Sequence, residues 1–177
     1  MFTVDEWAAQ DCSVRPLRRD TDVEVNLVAE RMRLTLIEVL GHETGAEMYS
    51  MDWLRARVRW HLDPAQCTGE VFVAEAADAI VGHTIVRLEP SDDGELAGLF
   101  STIYVIPEAR RRGVADALIQ RGEAWFASQH MTTLGTSTSV TNSRLIALFE
   151  KHGYAIVLHV PESRMVHLSK KLAPLGA

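Results

Sequence analysis

The sequence predicts a mixed α/β sheet domain. Three features carry this expectation: helical periodicity near the start, three strand-like runs joined by turn residues after Gly69, and alternating helix and strand patterns to the end. The 177 residues suffice for one domain with a real core, and two large domains are excluded. With 47% hydrophobic and 24% charged residues, a disordered or collagenous chain is excluded as well. One domain over residues 1–177 is expected, with residues 1–12 as an N-terminal extension.

In residues 20–40, Val25, Val28, Met32, Leu36 and Ile37 favour an amphipathic helix that starts near Thr21 or Asp22 and stops at Gly41. A second helix is expected over 51–61, ending before Pro64. Trp53 and Trp60, seven apart, fit one face of it and read as core rather than as a substrate platform. Residues 41–50 between the helices read as a polar loop holding His42, Glu43 and Glu47. Strands follow over 70–74, 79–88 and 96–106, joined by turns at Ala77-Asp78 and Ser91-Asp92-Asp93-Gly94, as an antiparallel meander. Pro107 stops the third strand, and 110–129 reads as a helix that buries Val114, Leu118, Ile119 and Phe126. A strand over 132–139, a helix over 142–151 and strands over 154–160 and 164–168 complete the chain.

The charge balance, 18 Lys and Arg against 24 Asp and Glu, argues against a sequence-independent nucleic-acid binder. Cys12 and Cys67 lack the spacing of a disulfide scaffold or zinc site, and His83, His152 and His159 show no metal-ligand spacing, so no metal is expected. The first ten residues lack an apolar signal core, and no run reaches the length of a membrane span. A cytoplasmic chain with no membrane partner is therefore expected.

The informative stretch is Tyr104-Val-Ile-Pro-Glu-Ala-Arg-Arg-Arg-Gly-Val-Ala115, a strand leading through a turn into a helix. Free N–H groups at a helix start suit an anionic phosphate group, Gly113 allows close backbone approach, and Ala115 leaves that face uncrowded. Taken alone, the run reads rather as a solvated arginine-rich helix start. The P-loop and dinucleotide fingerprints are absent, which disfavours ATP and NAD. A second segment, Asn142-Ser-Arg-Leu-Ile-Ala-Leu-Phe-Glu-Lys-His-Gly-Tyr154, opens a helix and closes into a strand.

Together the two segments resemble the GCN5-related N-acetyltransferase (GNAT) superfamily. Val105, Pro107, Arg110, Gly113 and Ala115 match its acyl-CoA motif, and Asn142, Leu148, Phe149, Lys151, Gly153 and Tyr154 its later motif. From Val14-Arg15-Pro16-Leu17 to Lys170 the order β-α-α-β-β-β-α-β-α-β-β is similar to that family's, which implies about seven strands flanked by about four helices.

The resemblance implies transfer of an acetyl group from acetyl-CoA to a primary amine of a small molecule, protein or peptide, by direct attack in a ternary complex. The implied cofactor-binding residues are Ile103 and Val105 on the strand edge, the amides of 111–115 (Arg111, Arg112, Gly113, Val114 and Ala115), the side chains of Arg110 and Arg112, and Asn142, Phe149 and Lys151. Asn142 reads equally as a helix cap alone. Phe149 stands where the family often has a tyrosine as general acid, so either Tyr104 serves as the acid or the thiolate leaves without one, and Glu95 or Ser101 is the implied base or relay. Glu95 reads equally as a solvated turn residue. The acceptor is expected to be cationic, drawn by His42, Glu43, Glu47 and Asp52. The alternative is a non-catalytic acyl-CoA-binding sensor or regulatory module. A homodimer is compatible with such a chain.

Overall fold

In the computed structural model, which describes residues 12–173, seven strands form one mixed sheet in the order β1-β2-β3-β4-β5-β7-β6. The N-terminal extension expected over 1–12 lies, apart from Cys12, outside the described residues. The strands are β1 (Ser13–Pro16), β2 (Gly69–Ala76), β3 (Ala79–Pro90), β4 (Leu96–Val105), β5 (Thr133–Ser139), β6 (Ala155–Val160) and β7 (Met165–Lys171). The helices are α1 (Asp22–Leu40), α2 (His42–Glu47), α3 (Met51–Leu62), α4 (Val114–Ser128) and α5 (Ser143–Lys151), with a 3₁₀ turn over Pro107–Ala109. Among the described residues no helix is long and apolar enough to cross a membrane.

Local chemistry sets these boundaries. Thr21 caps α1 by accepting from the Val23 N–H at 3.2 Å, and Ser50 caps α3 by accepting from the Trp53 N–H at 3.1 Å. The sequence predicts a polar loop over 41–50, whereas the structure forms α2 there. Its short polar turn is held by packing: a Cβ at Gly45 would lie 2.4 Å from the Leu36 carbonyl oxygen, so only glycine permits this approach to α1. The predicted helix over 110–129 is also corrected. Arg111 (φ 60°) and Gly113 (φ 79°) occupy left-handed conformations, so α4 begins only at Val114 and the three arginines precede it.

The two sheet faces bury separate cores. On one face, Val25, Val28 and Met32 of α1 and Leu54 and Val58 of α3 pack on Val71, Val73 and Ile85. On the other, Ile119 and Phe126 of α4 and Phe149 of α5 pack on Phe72, Val86, Phe100, Leu134, Val166 and Leu168. Arg15 on β1 pins α1 to this frame, pairing with Glu24 at 2.8 Å and with Glu75 of β2 at 2.7 Å.

Two irregularities shape the middle of the sheet. Ile85 pairs with Thr102 and Val86 with Phe100, so Ser101 is an extra residue bulged out of β4. Parallel pairing of β4 with β5 is confined to Gly98↔Leu134, Leu99↔Gly135 and Phe100↔Thr136. Beyond Phe100 the two strands diverge, and a V-shaped gap opens beside residues 101–105.

Candidate active site

The β4 wall of the gap offers an unpaired strand edge. The Ile106 N–H donates to the Val81 carbonyl at 2.9 Å, so by alternation Tyr104 also turns its main-chain groups toward β3, while those of Ile103 and Val105 turn toward the gap. The Val105 carbonyl is engaged, accepting from Nε of Arg110 at 2.8 Å. Ile103 has no β5 partner among the described residues.

Below this edge the chain turns through the 3₁₀ segment into α4. The first bond of that helix runs from the Ala117 N–H to the Gly113 carbonyl at 3.0 Å, so the amides of 113–116 precede it and project from the helix start. Gly113 is exposed, and a Cβ built on it would meet nothing within 4 Å, which leaves open space in front of these donors. An N–H cluster at the positive end of a 15-residue helix is a site for a phosphate group.

The three arginines are not equivalent. Arg110 Nη2 bonds Glu38 of α1 at 2.6 Å, and its guanidinium lies 5.5 Å from the centre of the Tyr104 ring. The expectation that Arg110 contacts phosphates directly is corrected: its donors tie α1 to β4 instead. Arg111 is exposed and Arg112 half-buried beside Gly113. Asp116 sits in the first turn of α4, where burial pushes its carboxyl up but bonds from Lys151 (2.8 Å) and His152 (2.7 Å) outweigh that and hold it below its ordinary value. Lys151 thus offsets a negative charge next to the amide cluster.

Asn142 is a cap with a second tie. Its Oδ1 accepts from the Leu145 N–H at 3.4 Å and its Nδ2 donates to Thr138 Oγ1 at 3.0 Å, which directs its amide to β5. Phe149 departs from its expected place against the cofactor: it is fully enclosed, with its ring centre 5.4 Å from Phe100 and 4.9 Å from Tyr154.

The catalytic candidates separate in space. Glu95 is exposed in the β3–β4 turn, where its N–H donates to Asp93 at 3.1 Å. It lies six residues before Ser101, roughly 20 Å along an extended strand, so its reading as a base is corrected. Tyr104 is 6% exposed between His83 and Arg110, and burial, then the Glu38 charge, pushes its hydroxyl pKa up. Ser101 lies at the bulge, and its Oγ accepts from Arg87 at 2.9 Å. Arg87 also binds Glu89 at 2.7 Å and approaches His61 Nε2 at 3.5 Å.

Thr102, which the sequence does not single out, meets buried His83, with Oγ1 and Nε2 3.1 Å apart. His83 Nδ1 and Arg31 Nη1 are buried without a partner among the described residues. A buried lone pair near the Arg31 charge costs less than a buried N–H, which favours the Nε2–H tautomer and makes Thr102 Oγ1 the acceptor. Burial, then Arg31, lowers the His83 pKa to about 3, and burial lowers that of His61 to about 4.

Both histidines therefore stay neutral in the fold and charge in the unfolded chain. Their folded pKa values lie below the unfolded value of about 6.5, so the unfolded chain binds more protons as pH falls through that value, and stability declines. From pH 7 to pH 5 the expected loss is on the order of 4 kcal/mol. Urea unfolding at pH 7, 6 and 5 measures it, and a flat profile would mean that neither ring is buried as described.

On the α1–α3 face, Tyr49 and Trp53 stack with ring centres 4.0 Å apart, beside exposed Met48, Glu47 and Asp52. Trp53 is 43% exposed, which corrects its reading as core; Trp60 is half-buried under Arg57.

The model of the acetyltransferase (GNAT) family matches residues 34–154. No curated protein sequence matches the chain. Among solved structures, the NatC complex bound to Gag peptide and CoA is similar over 92% of this chain and 99% of its own, with TM-score 0.72 and 16% identity. The structure of yncA from Salmonella typhimurium with its cofactor acetyl-CoA is similar over 94% and 97%, with TM-score 0.72 and 13% identity. Arabidopsis thaliana Naa50 in complex with a bisubstrate analogue is similar over 92% and 99%, with TM-score 0.61 and 20% identity.

Proposed function

The chain belongs to the acetyltransferase (GNAT) family, and from that premise we propose that it transfers an acetyl group from acetyl-CoA to a primary amine, the α-amino group of a peptide or a small cationic amine. The observation that carries this reading is the short β4–β5 pairing, which opens onto an unpaired strand edge and ends at the amide-rich start of α4.

In this reading the Ile103 main chain pairs with the pantetheine arm as an added strand would, and the amides of 113–116, with Arg112, hold the pyrophosphate. The acceptor approaches from the α1–α3 face, where exposed Glu47 attracts a cation, Asp52 is already paired with Arg55 at 2.9 Å, and the Tyr49–Trp53 stack offers an apolar wall. The amine attacks the thioester carbonyl directly, a main-chain N–H of the β4 edge stabilises the developing negative charge, and sulfur leaves with the bonding pair. The NatC and Naa50 structures, with a peptide and a bisubstrate analogue, favour the peptide acceptor.

Calorimetry with acetyl-CoA, followed by thiol detection of CoA release over peptides with free N-termini, polyamines and aminoglycosides, tests the proposal. Binding plus release with at least one acceptor class is expected, and no binding would overturn it. Binding without release on any acceptor would favour the second reading, a non-catalytic acyl-CoA sensor.

A further inference from the structure

Ser137 of β5 and His167 of β7 are opposite each other in the sheet, and Ser137 Oγ lies 2.5 Å from Nδ1 of His167. Thr136, Thr138, Val166 and Leu168 alternate with them and are buried toward α5, so Ser137 and His167 share the other face, where both are half-exposed. Ser137 immediately follows Thr136, the last β5 residue paired with β4. The hydroxyl therefore sits at the apex of the gap, across from the bulge at Ser101 and Thr102.

The geometry points to Ser137 and His167 as the proton-accepting couple for the acceptor amine, with Ser137 touching the amine and His167 acting through it. The inference rests on the acetyl-transfer reading above. An aliphatic amine reaches the enzyme largely as ammonium and must lose a proton before it can attack. One ammonium proton passes to Ser137 Oγ while the hydroxyl proton passes to Nδ1 of His167, which becomes imidazolium. The amine lone pair then forms the N–C bond and the C–S bond breaks, its pair leaving on sulfur. The second amine proton neutralises the thiolate, and His167 returns its proton to solvent.

Imidazole is the side chain suited to such exchange near neutral pH. The sheet neighbours of His167 on this face are uncharged, namely Met165 and Ser169 along β7, Ser137, Gly135 and Ser139 on β5, and Leu158, Ala155 and Val160 on β6, and the next residue of β7 on this face, Lys171, carries the nearest charge along the strand. Across the gap the bulge presents Ser101 and Thr102, with the charged pair Arg87 and Glu89 behind Ser101. No other histidine is on this face of β5–β7 among the described residues.

The test uses the full chain, saturating acetyl-CoA and an acceptor that wild type acetylates. His167→Ala is expected to lower kcat about 100-fold, to leave acetyl-CoA affinity within about twofold, to remove the acidic limb of the kcat–pH profile, and to regain turnover with added imidazole. Ser137→Ala is expected to lose the same limb and to be insensitive to imidazole, and it serves if His167→Ala fails to fold. Unchanged kcat and pH profile in both variants would overturn the couple while leaving the acetyl-transfer reading intact. An acetyl group found on Ser137 after incubation with acetyl-CoA would overturn it in favour of a covalent route. Failure of wild type to bind acetyl-CoA would instead overturn the acetyl-transfer reading and this inference with it.

Discussion

Replacing Gly113 with glutamate is expected to abolish acetyl-CoA binding while the protein stays folded. Gly113 has φ 79° and is exposed, and a Cβ there meets nothing within 4 Å, so the new side chain enters open space rather than the core. A non-glycine residue in the left-handed region costs about 1–2 kcal/mol, a modest loss of stability. The carboxylate, however, is placed at the amide cluster that starts α4, where it satisfies those donors itself and repels the diphosphate. Two like charges about 4 Å apart at an effective dielectric near 20 cost about 4 kcal/mol, so affinity is expected to fall at least roughly 100-fold. Gly113→Asn separates the two effects: it tolerates the same φ and adds no charge, so it is expected to keep most of the affinity. Calorimetric titration with CoA and thermal unfolding of both variants measure this. Undiminished affinity in Gly113→Glu would move the phosphate site elsewhere.

The elements legible in the sequence are those whose signals are local. Alternation and the turns at Ala77-Asp78 and residues 91–94 set the meander of β2, β3 and β4, and Thr21 and Asn142 mark helix starts with capping side chains. α2 escapes sequence reading because a six-residue polar turn has no periodicity of its own, and its helix depends on Gly45 meeting α1. The arginine run is visible as charge, but its division of labour is not: Arg110 is held by Glu38, which is 72 residues away in the chain. Glu95 looks close to the chemistry because it immediately precedes β4, yet the gap opens only past Phe100. The Ser137–His167 pair depends on the β5–β7 register, which joins residues 30 apart, and a polar run such as Thr136-Ser-Thr-Ser139 signals only an alternating strand. Helical spacing points Trp53 inward, but the buried face of α3 carries Leu54, Val58 and His61 instead.

Phe149→Ala is expected to cost about 3–5 kcal/mol of stability, whereas Phe149→Tyr is expected to lose about 1–3 kcal/mol without gaining turnover. Phe149 has no exposed surface, and its ring packs edge-on against Phe100 and Tyr154 within the core shared by α4 and α5. Truncation leaves a cavity beneath the apex of the gap, so the alanine variant is also expected to weaken acetyl-CoA binding by loosening β4 against β5. Tyrosine has the opposite problem. Its added hydroxyl would enter a site surrounded by Phe100, Tyr154 and aliphatic side chains, while the nearby Tyr154 hydroxyl already donates to Glu123 at 2.9 Å. Such a buried hydroxyl has no ready partner, and it is too enclosed to protonate a departing thiolate. The wild-type phenylalanine thus works through packing, and CoA leaves as a thiolate whose reference pKa near 8.5 needs little help at neutral pH. Urea unfolding together with steady-state kcat of the three proteins checks both parts. A Phe149→Tyr enzyme faster than wild type would show that this position faces the sulfur and that the natural chain has given up an acid there.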